Sequence, residues 1–290
     1  MHVPQLASAI AVLTVTGCGT PPANATAEAP DQPRVAHATV VLAAELDWQP
    51  LNPARGDASP MAANLWGDRT TAGATGFVVR FAEGFSSPPH IHNVSYRGVV
   101  LEGLVHNDDP PAEPMWMPVG SYWTQPKGAP HITSSHPSMR SAAYIEIDDG
   151  PYLVRPVEDT FETDEHPINV HASNLVWADV GLPDGRSSGS PPRTALLWGD
   201  PDHGEMRGAL LALSGTDLRE VRSQSGPLRA VVIEGQVAYH DPTTGATTTM
   251  DPGSYIGTEQ GAITLSCVSN SRCTLYLRLA GALDIGAPEA

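Results

Sequence analysis

His90 and His92, in Pro88-Pro89-His90-Ile91-His92, and His131, in Pro126-Lys127-Gly128-Ala129-Pro130-His131, are the residues of this chain best suited to chemistry. Two histidines one residue apart point to the same side of a β-strand, because side-chain direction there has period 2. The third follows a Gly-Pro-rich turn further along the chain. Three neutral imidazoles converging from two strands can hold one divalent ion and leave its other positions open to a small molecule. Iron, zinc, manganese and nickel all accept imidazole, so the residue types do not choose among them. The competing reading is three core histidines satisfied by hydrogen bonds.

Such a site needs a rigid scaffold, and the chain carries one twice. Asn64-Leu65-Trp66-Gly67-Asp68 recurs as Leu196-Leu197-Trp198-Gly199-Asp200, a shift of 198 − 66 = 132. The same shift carries Gly76 onto Gly208, and Val99-Val100-Leu101-Glu102-Gly103 onto Val231-Val232-Ile233-Glu234-Gly235. Beyond a turn, Met117-Pro118-Val119-Gly120-Ser121-Tyr122 meets Met250-Asp251-Pro252-Gly253-Ser254-Tyr255, now shifted by 253 − 120 = 133. Segments 76–81, 96–101, 104–107 and 141–147 are short, β-branched or aromatic, and bounded by Gly, Pro, Asn and Asp. Many short strands with such turns predict an all-β sandwich or barrel in each copy. Residues 157–190 are read as the linker and lead-in strand of the second copy.

The copies also act as an internal control. Adding 132 to 90 and 92 gives Arg222 and Gln224, and adding 133 to 131 gives Thr264. The histidines are lost while the glycines and apolar strand positions remain, so the fold does not require them.

Gly84-Phe85-Ser86-Ser87-Pro88-Pro89-His90-Ile91-His92, with Gly103 beyond, resembles the first motif of the cupin superfamily. Pro118-Val119-Gly120-Ser121-Tyr122, leading to His131, resembles the second. The resemblance spans roughly 40 to 280 and implies two tandem double-stranded β-helix (jelly-roll) barrels, a bicupin. Residues 37–156 then form the N-terminal cupin with the metal site, and 157–290 a degenerate C-terminal cupin. Within the superfamily the chain is most similar to a bacterial bicupin lipoprotein family of unassigned function. Related single-domain cupins include half of a zinc anti-sigma factor and a three-histidine, iron-dependent dioxygenase that cleaves β-diketones.

The motif usually continues to a glutamate four residues past the second histidine, where this chain has Tyr96. Glu102 is a poor substitute, since it recurs as Glu234. The expected centre is therefore His90, His92 and His131 without a carboxylate. Neutral ligands leave an ion's charge uncompensated, which favours anionic or enolisable ligands. Tyr96 has two readings, a hydroxyl donor beside the metal or an aromatic packing residue. Gln125 is a candidate partner for a metal-bound water, and Trp123, with Trp116 and Met117, for the barrel mouth. His106 reads as a surface hairpin residue. An enzyme of dioxygenase type and a non-catalytic metal- or ligand-binding module both remain open.

Of the 290 residues, 16 are basic and 32 acidic, a net charge of −16, which argues against nucleic acid or an anionic membrane surface as partner. The expected partner is a small molecule, and barrel edges leave a homodimer open. The N-terminus reads as a lipoprotein signal, residues 1–17, although it carries His2 and no Lys or Arg. Val15-Thr16-Gly17-Cys18 resembles a lipobox, with Cys18 lipidated, and 18–36 is a Pro/Ala/Thr-rich tether. That predicts an exported protein held at the bacterial envelope by its lipid alone. Cys267 and Cys273 flank an apparent hairpin loop; a disulfide and two separate small hydrophobes are both open. No Gly-x-Ser-x-Gly elbow, P-loop or dinucleotide fingerprint occurs.

Overall fold

The computed structural model describes residues 38–181, 190–201, 203–269 and 271–288. The signal-like segment, Cys18 and the tether lie outside the described residues. Within them the chain is all-β, as expected, with four short 3-10 turns as its helical pieces. No helix among the described residues is long and apolar enough to cross a membrane.

Each copy builds one seven-stranded antiparallel sheet. The first runs Ile168–Val170, Tyr122–Gln125, Tyr96–Glu102, Ser141–Ile147, Thr75–Phe81, Met61–Trp66, Gln49–Pro50. The second runs Thr39–Val41, Tyr255–Thr258, Leu228–Glu234, Arg272–Ala280, Met206–Ser214, Arg193–Trp198, Ala178–Asp179. The two orders match position by position, with one exchange. The lead-in strand Thr39–Val41 pairs with Tyr255–Thr258 of the second copy, and Ile168–Val170 pairs with Tyr122–Gln125 of the first. The swap is fastened alike on both sides. The Ala43 amide donates to Ser254 Oγ and the Ala172 amide to Ser121 Oγ, each at 3.0 Å.

Strand alternation sorts the side chains into three cores. Along Thr75–Phe81, Phe77, Val79 and Phe81 face the interior of the first barrel with Val100, Trp123 and Ile145. Val78 faces the other way, into a shared layer with Val99, Tyr144, Leu210, Val231 and Tyr276, where the backs of the two large sheets meet. Gly76 and Gly208 are small for a reason found in that layer. A Cβ on either would fall on the indole nitrogen of Trp66 or Trp198. Each indole N–H instead reaches a phenol, Trp66 to Tyr144 (3.1 Å) and Trp198 to Tyr276 (2.9 Å). Tyr144 and Tyr276 lie 5.2 Å apart across the pseudo-twofold axis.

The symmetry breaks where charge is buried. Position 146 is Glu in the first copy, and its equivalent, 278, is Arg. Arg278 donates to Glu146 at 3.0 Å and to Asp148 at 2.8 Å, while Arg97 reaches Asp148 at 2.9 Å. Identical residues at such an axis would oppose like charges, which a low-dielectric layer does not tolerate.

The second barrel closes with a five-stranded sheet, Thr247–Met250, Val237–His240, Ala262–Cys267, Arg219–Ser223, Leu283–Gly286. The first closes with two ribbons, Val105–Asp108 on Ile132–Ser135 and His90–His92 on Val154–Pro156. Cys267 and Cys273 are joined by a disulfide. They do not flank a hairpin, however. Ala262–Cys267 belongs to the five-stranded sheet and Arg272–Ala280 to the seven-stranded one, so the bond ties the two sheets together.

Candidate metal centre

The strand His90–His92 presents both imidazoles inward, as its period requires. Pro88-Pro89 holds the preceding chain extended, and two backbone bonds pair His90 with His131, at 3.1 and 3.0 Å. The Gly128 amide donates to the carbonyl of His92 (2.8 Å), which fixes the turn that delivers His131 beside it. One candidate ligand atom from each of the three histidines lies within 4.8 Å of the others.

Backbone carbonyls decide which nitrogen is offered. His90 Nδ1 lies 3.0 Å from the Pro88 oxygen, His92 Nδ1 3.0 Å from Leu153, and His131 Nδ1 3.2 Å from Ala129. A carbonyl only accepts, so each Nδ1 carries the proton and each Nε2 keeps a lone pair for the interior. Burial reinforces this. It depresses the His90 pKa, pushes His131 down to about 3 and holds His92 well below the ordinary value, with neighbouring imidazoles adding to the effect on the latter two. All three are neutral ligands at pH 7.

A second chain of forced orientations starts at the same Ala129 carbonyl. It accepts from Gln125 Nε2 (3.2 Å), so Gln125 Oε1 must face Asn107 Nδ2 (3.0 Å). Asn107 Oδ1 then faces the hydroxyls of Thr133 (2.7 Å) and Tyr96 (2.9 Å) and accepts from both. The Tyr96 proton is thereby committed, and burial keeps that phenol protonated. Its oxygen sits 3.3 Å from His131 Nε2, lone pair toward lone pair. Two acceptors facing each other at a buried spot are relieved by a cation beside them. The residues present therefore fit a divalent ion held by the three Nε2 atoms, as second-shell orientation of histidine ligands requires.

His131 is fully buried beside the other two histidines, His90 and His92, which line a cavity of about 440 Å³. Its wall is largely apolar, with Leu51, Val79, Phe81, Phe85, Ile145 and Val154, and it includes His90, His92, Tyr96, Trp123 and Tyr152. Trp123 is fully buried in this wall and lies flat over Gly98, where any Cβ would strike its ring. Tyr96 has features of both readings: it is a buried core residue whose hydroxyl proton is used on Asn107, and its oxygen lies beside His131. Gln125 is not in the wall. Both ends of its amide are used on Asn107 and Ala129, so it orients the site instead of touching a bound water. Trp116 also lies away from the cavity, its ring 6.0 Å from His106 and 5.1 Å from His136. His106 is 2% exposed, not a surface residue, because the segment carrying Trp116 and Met115 covers it.

Sequence reasoning missed two residues. Asn107 was hidden in an apparent hairpin. Tyr152 follows Gly150-Pro151, outside every predicted strand, yet its hydroxyl lies 3.0 Å from His92 Nε2 and its ring stacks on His92 at 4.3 Å. The available signal was asymmetry, since neither residue recurs in the second copy.

That copy has lost more than its ligands. Ladder pairing aligns His90↔His131 with Glu220↔Thr264, and Pro156↔His90 with Gly286↔Glu220. The structural counterparts of His90 and His92 are thus Glu220 and Arg222, two residues before the positions that a constant shift gives. A shortened loop before the strand and a lengthened one after it compensate. The interior is filled by Leu211, Leu228, Tyr239, Ile256, Leu265 and Leu277, so a packed apolar core replaces the site.

The model of the domain-of-unknown-function family DUF4437 matches residues 39–286. The chain belongs to that family. No curated protein matches the sequence. Among solved structures, a candidate dioxygenase of Nostoc punctiforme is similar over 87% of this chain and 84% of its own, with 13% identity and a TM-score of 0.62. Salicylate 1,2-dioxygenase of Pseudaminobacter salicylatoxidans is similar over 88% and 86%, with 14% identity and a TM-score of 0.53. Oxalate decarboxylase of Bacillus subtilis, in a serine-to-alanine mutant form, is similar over 87% and 81%, with 10% identity and a TM-score of 0.54. At these identities the likeness shows the fold, and the fold of this DUF4437 chain is that of the cupins.

Proposed function

We propose that this DUF4437 chain is a mononuclear metal-dependent enzyme acting on a small, largely apolar molecule through oxygen donors, with O2-dependent cleavage or oxidation the leading reaction class. The observation that carries the reading is a cluster of three neutral imidazoles, two of which line a largely apolar cavity with room for a small molecule. A bound divalent ion would supply Lewis acidity toward the substrate's oxygens. The protein's own part is to fix the tripod through the Pro88, Leu153 and Ala129 carbonyls, to present Tyr96 through Asn107, and to exclude water with the apolar wall. The tripod itself offers no carboxylate base, which favours activation by chelation, and the carboxylate that does line the cavity is Glu158. Two of the similar structures are those of a candidate dioxygenase and a salicylate dioxygenase, and support the class without fixing it.

A pure metal-binding module would saturate its ion or lack space beside it; a cluster of three candidate ligands among the described residues, beside a cavity of about 440 Å³, supports the enzyme reading instead. Oxygen uptake by the iron-loaded protein with β-diketones, phenols and salicylate tests the proposal. Turnover that disappears in His131→Ala supports it; no uptake with any iron, manganese or nickel form turns the reading toward binding. Attachment to the envelope through Cys18 is part of the proposal. A Cys18→Ala chain should leave the membrane fraction, and continued sedimentation with membranes would refute that part.

A further inference from the structure

The two phenols beside the histidines look alike but differ in what their protons are doing. Tyr96 donates its hydrogen bond to Asn107 Oδ1, an acceptor that a bound ion does not disturb. Tyr152 has one hydrogen-bond partner among the described residues, the Nε2 lone pair of His92 at 3.0 Å. That is the lone pair an ion would take. Tyr152 is held in place by other means, stacked on His92 and edge-on to Phe77 at 5.2 Å, and it lines the cavity. With an ion on His92, the Tyr152 hydroxyl would lose its acceptor, while its ring stays anchored by stacking in the cavity wall. A donor left so in a largely apolar wall is costly unless something new accepts from it.

We propose that Tyr152 is the substrate-positioning donor of this site, and that its hydroxyl binds an oxyanionic ligand atom seated next to His92. The class of ligand is a small enolate, phenolate or hydroxamate-like chelator with an apolar body. The inference rests on the three-histidine reading above.

The test uses the full chain loaded with Co(II), whose visible spectrum reports both metal binding and ligand entry. Acetohydroxamate is the oxyanion probe. Imidazole is the control, since once coordinated it presents no acceptor to a neighbouring phenol. Tyr152→Phe removes a donor that competes for His92 Nε2, so it should bind Co(II) at least as tightly as the unaltered chain and bind imidazole within about twofold of it, but lose roughly tenfold or more in acetohydroxamate affinity, the size expected of a hydrogen bond to a charged acceptor. Equal acetohydroxamate affinity in the two proteins overturns the assignment. So does parallel weakening of both ligands or loss of Co(II), which would make Tyr152 a packing residue of His92. Failure of the unaltered chain to bind Co(II) instead refutes the three-histidine reading, and is separable from the others because it precedes any ligand.

Discussion

Asn107→Leu is the substitution that probes most of the site's logic at once. Asn107 is 2% exposed and its amide makes three hydrogen bonds, from Tyr96 (2.9 Å), from Thr133 (2.7 Å) and to Gln125 (3.0 Å). Leucine keeps the branched shape but is bulkier, so some overpacking adds to the loss of hydrogen bonds. The Thr133 hydroxyl and the Gln125 carbonyl are then stranded in the interior, at roughly 1–3 kcal/mol each. A loss of about 3–4 kcal/mol is expected, which for a chain of this size lowers Tm by roughly 6–16 °C. The functional effect is separate. Without Asn107 the Tyr96 proton swings onto His131 Nε2 and competes with the ion, so zinc affinity should fall about 10–100-fold, the usual effect of removing a second-shell partner. Thermal unfolding of the metal-free proteins reads the first number, and competition with a chromophoric chelator reads the second. A folded Asn107→Leu chain that binds zinc within twofold of the unaltered protein would refute the orientation chain from Ala129 to Tyr96.

Acid should weaken the metal-free protein in a window set by the histidines. Burial lowers the folded pKa of His131 to about 3, below its unfolded value near 6.5, so the unfolded chain binds the extra proton first. Stability contributed by the neutral form is therefore whole above pH 6.5 and lost as pH falls toward 3, by up to roughly 5 kcal/mol from this one group. Urea midpoints at pH 7, 5 and 4 should decline, and His131→Asn should flatten the decline; an unchanged slope contradicts the assignment. Between the barrels, Arg278→Met strands the buried Glu146 with Arg97 at 3.7 Å and should cost roughly 3 kcal/mol. The Glu146→Gln/Arg278→Met pair should recover much of that loss in a double-mutant cycle, whereas strict additivity would show that the two charges are not coupled.

How much of this could be read from the sequence follows from what is local and what is not. Strand existence, turn glycines and the duplication are local patterns, and Ser141–Ile147 was legible to the residue. The partner of a strand is not local. Nothing in Thr39–Val41 or Ile168–Val170 says that each crosses to the other copy's sheet, because edge pairing depends on where the chain is led. The constant shift failed near Arg222 because two compensating loop changes leave no trace in the flanking glycines. His90, His92 and His131 were visible because ligand chemistry restricts residue type. Asn107, Gln125 and Tyr152 act through orientation, which many residue types serve, so only the three-dimensional hydrogen bonding discloses them. Cys267 and Cys273 looked like a hairpin because a short loop between strands suggests one; the corner of a barrel has the same sequence signature.

The central claim is that His90, His92 and His131 hold one ion. Metal content of the purified protein by inductively coupled plasma mass spectrometry, beside His90→Ala/His131→Ala, tests it most directly. The account predicts close to one divalent ion per chain, lost in the double variant. No metal in either protein, even after incubation with iron, manganese, zinc, nickel and copper, would contradict it.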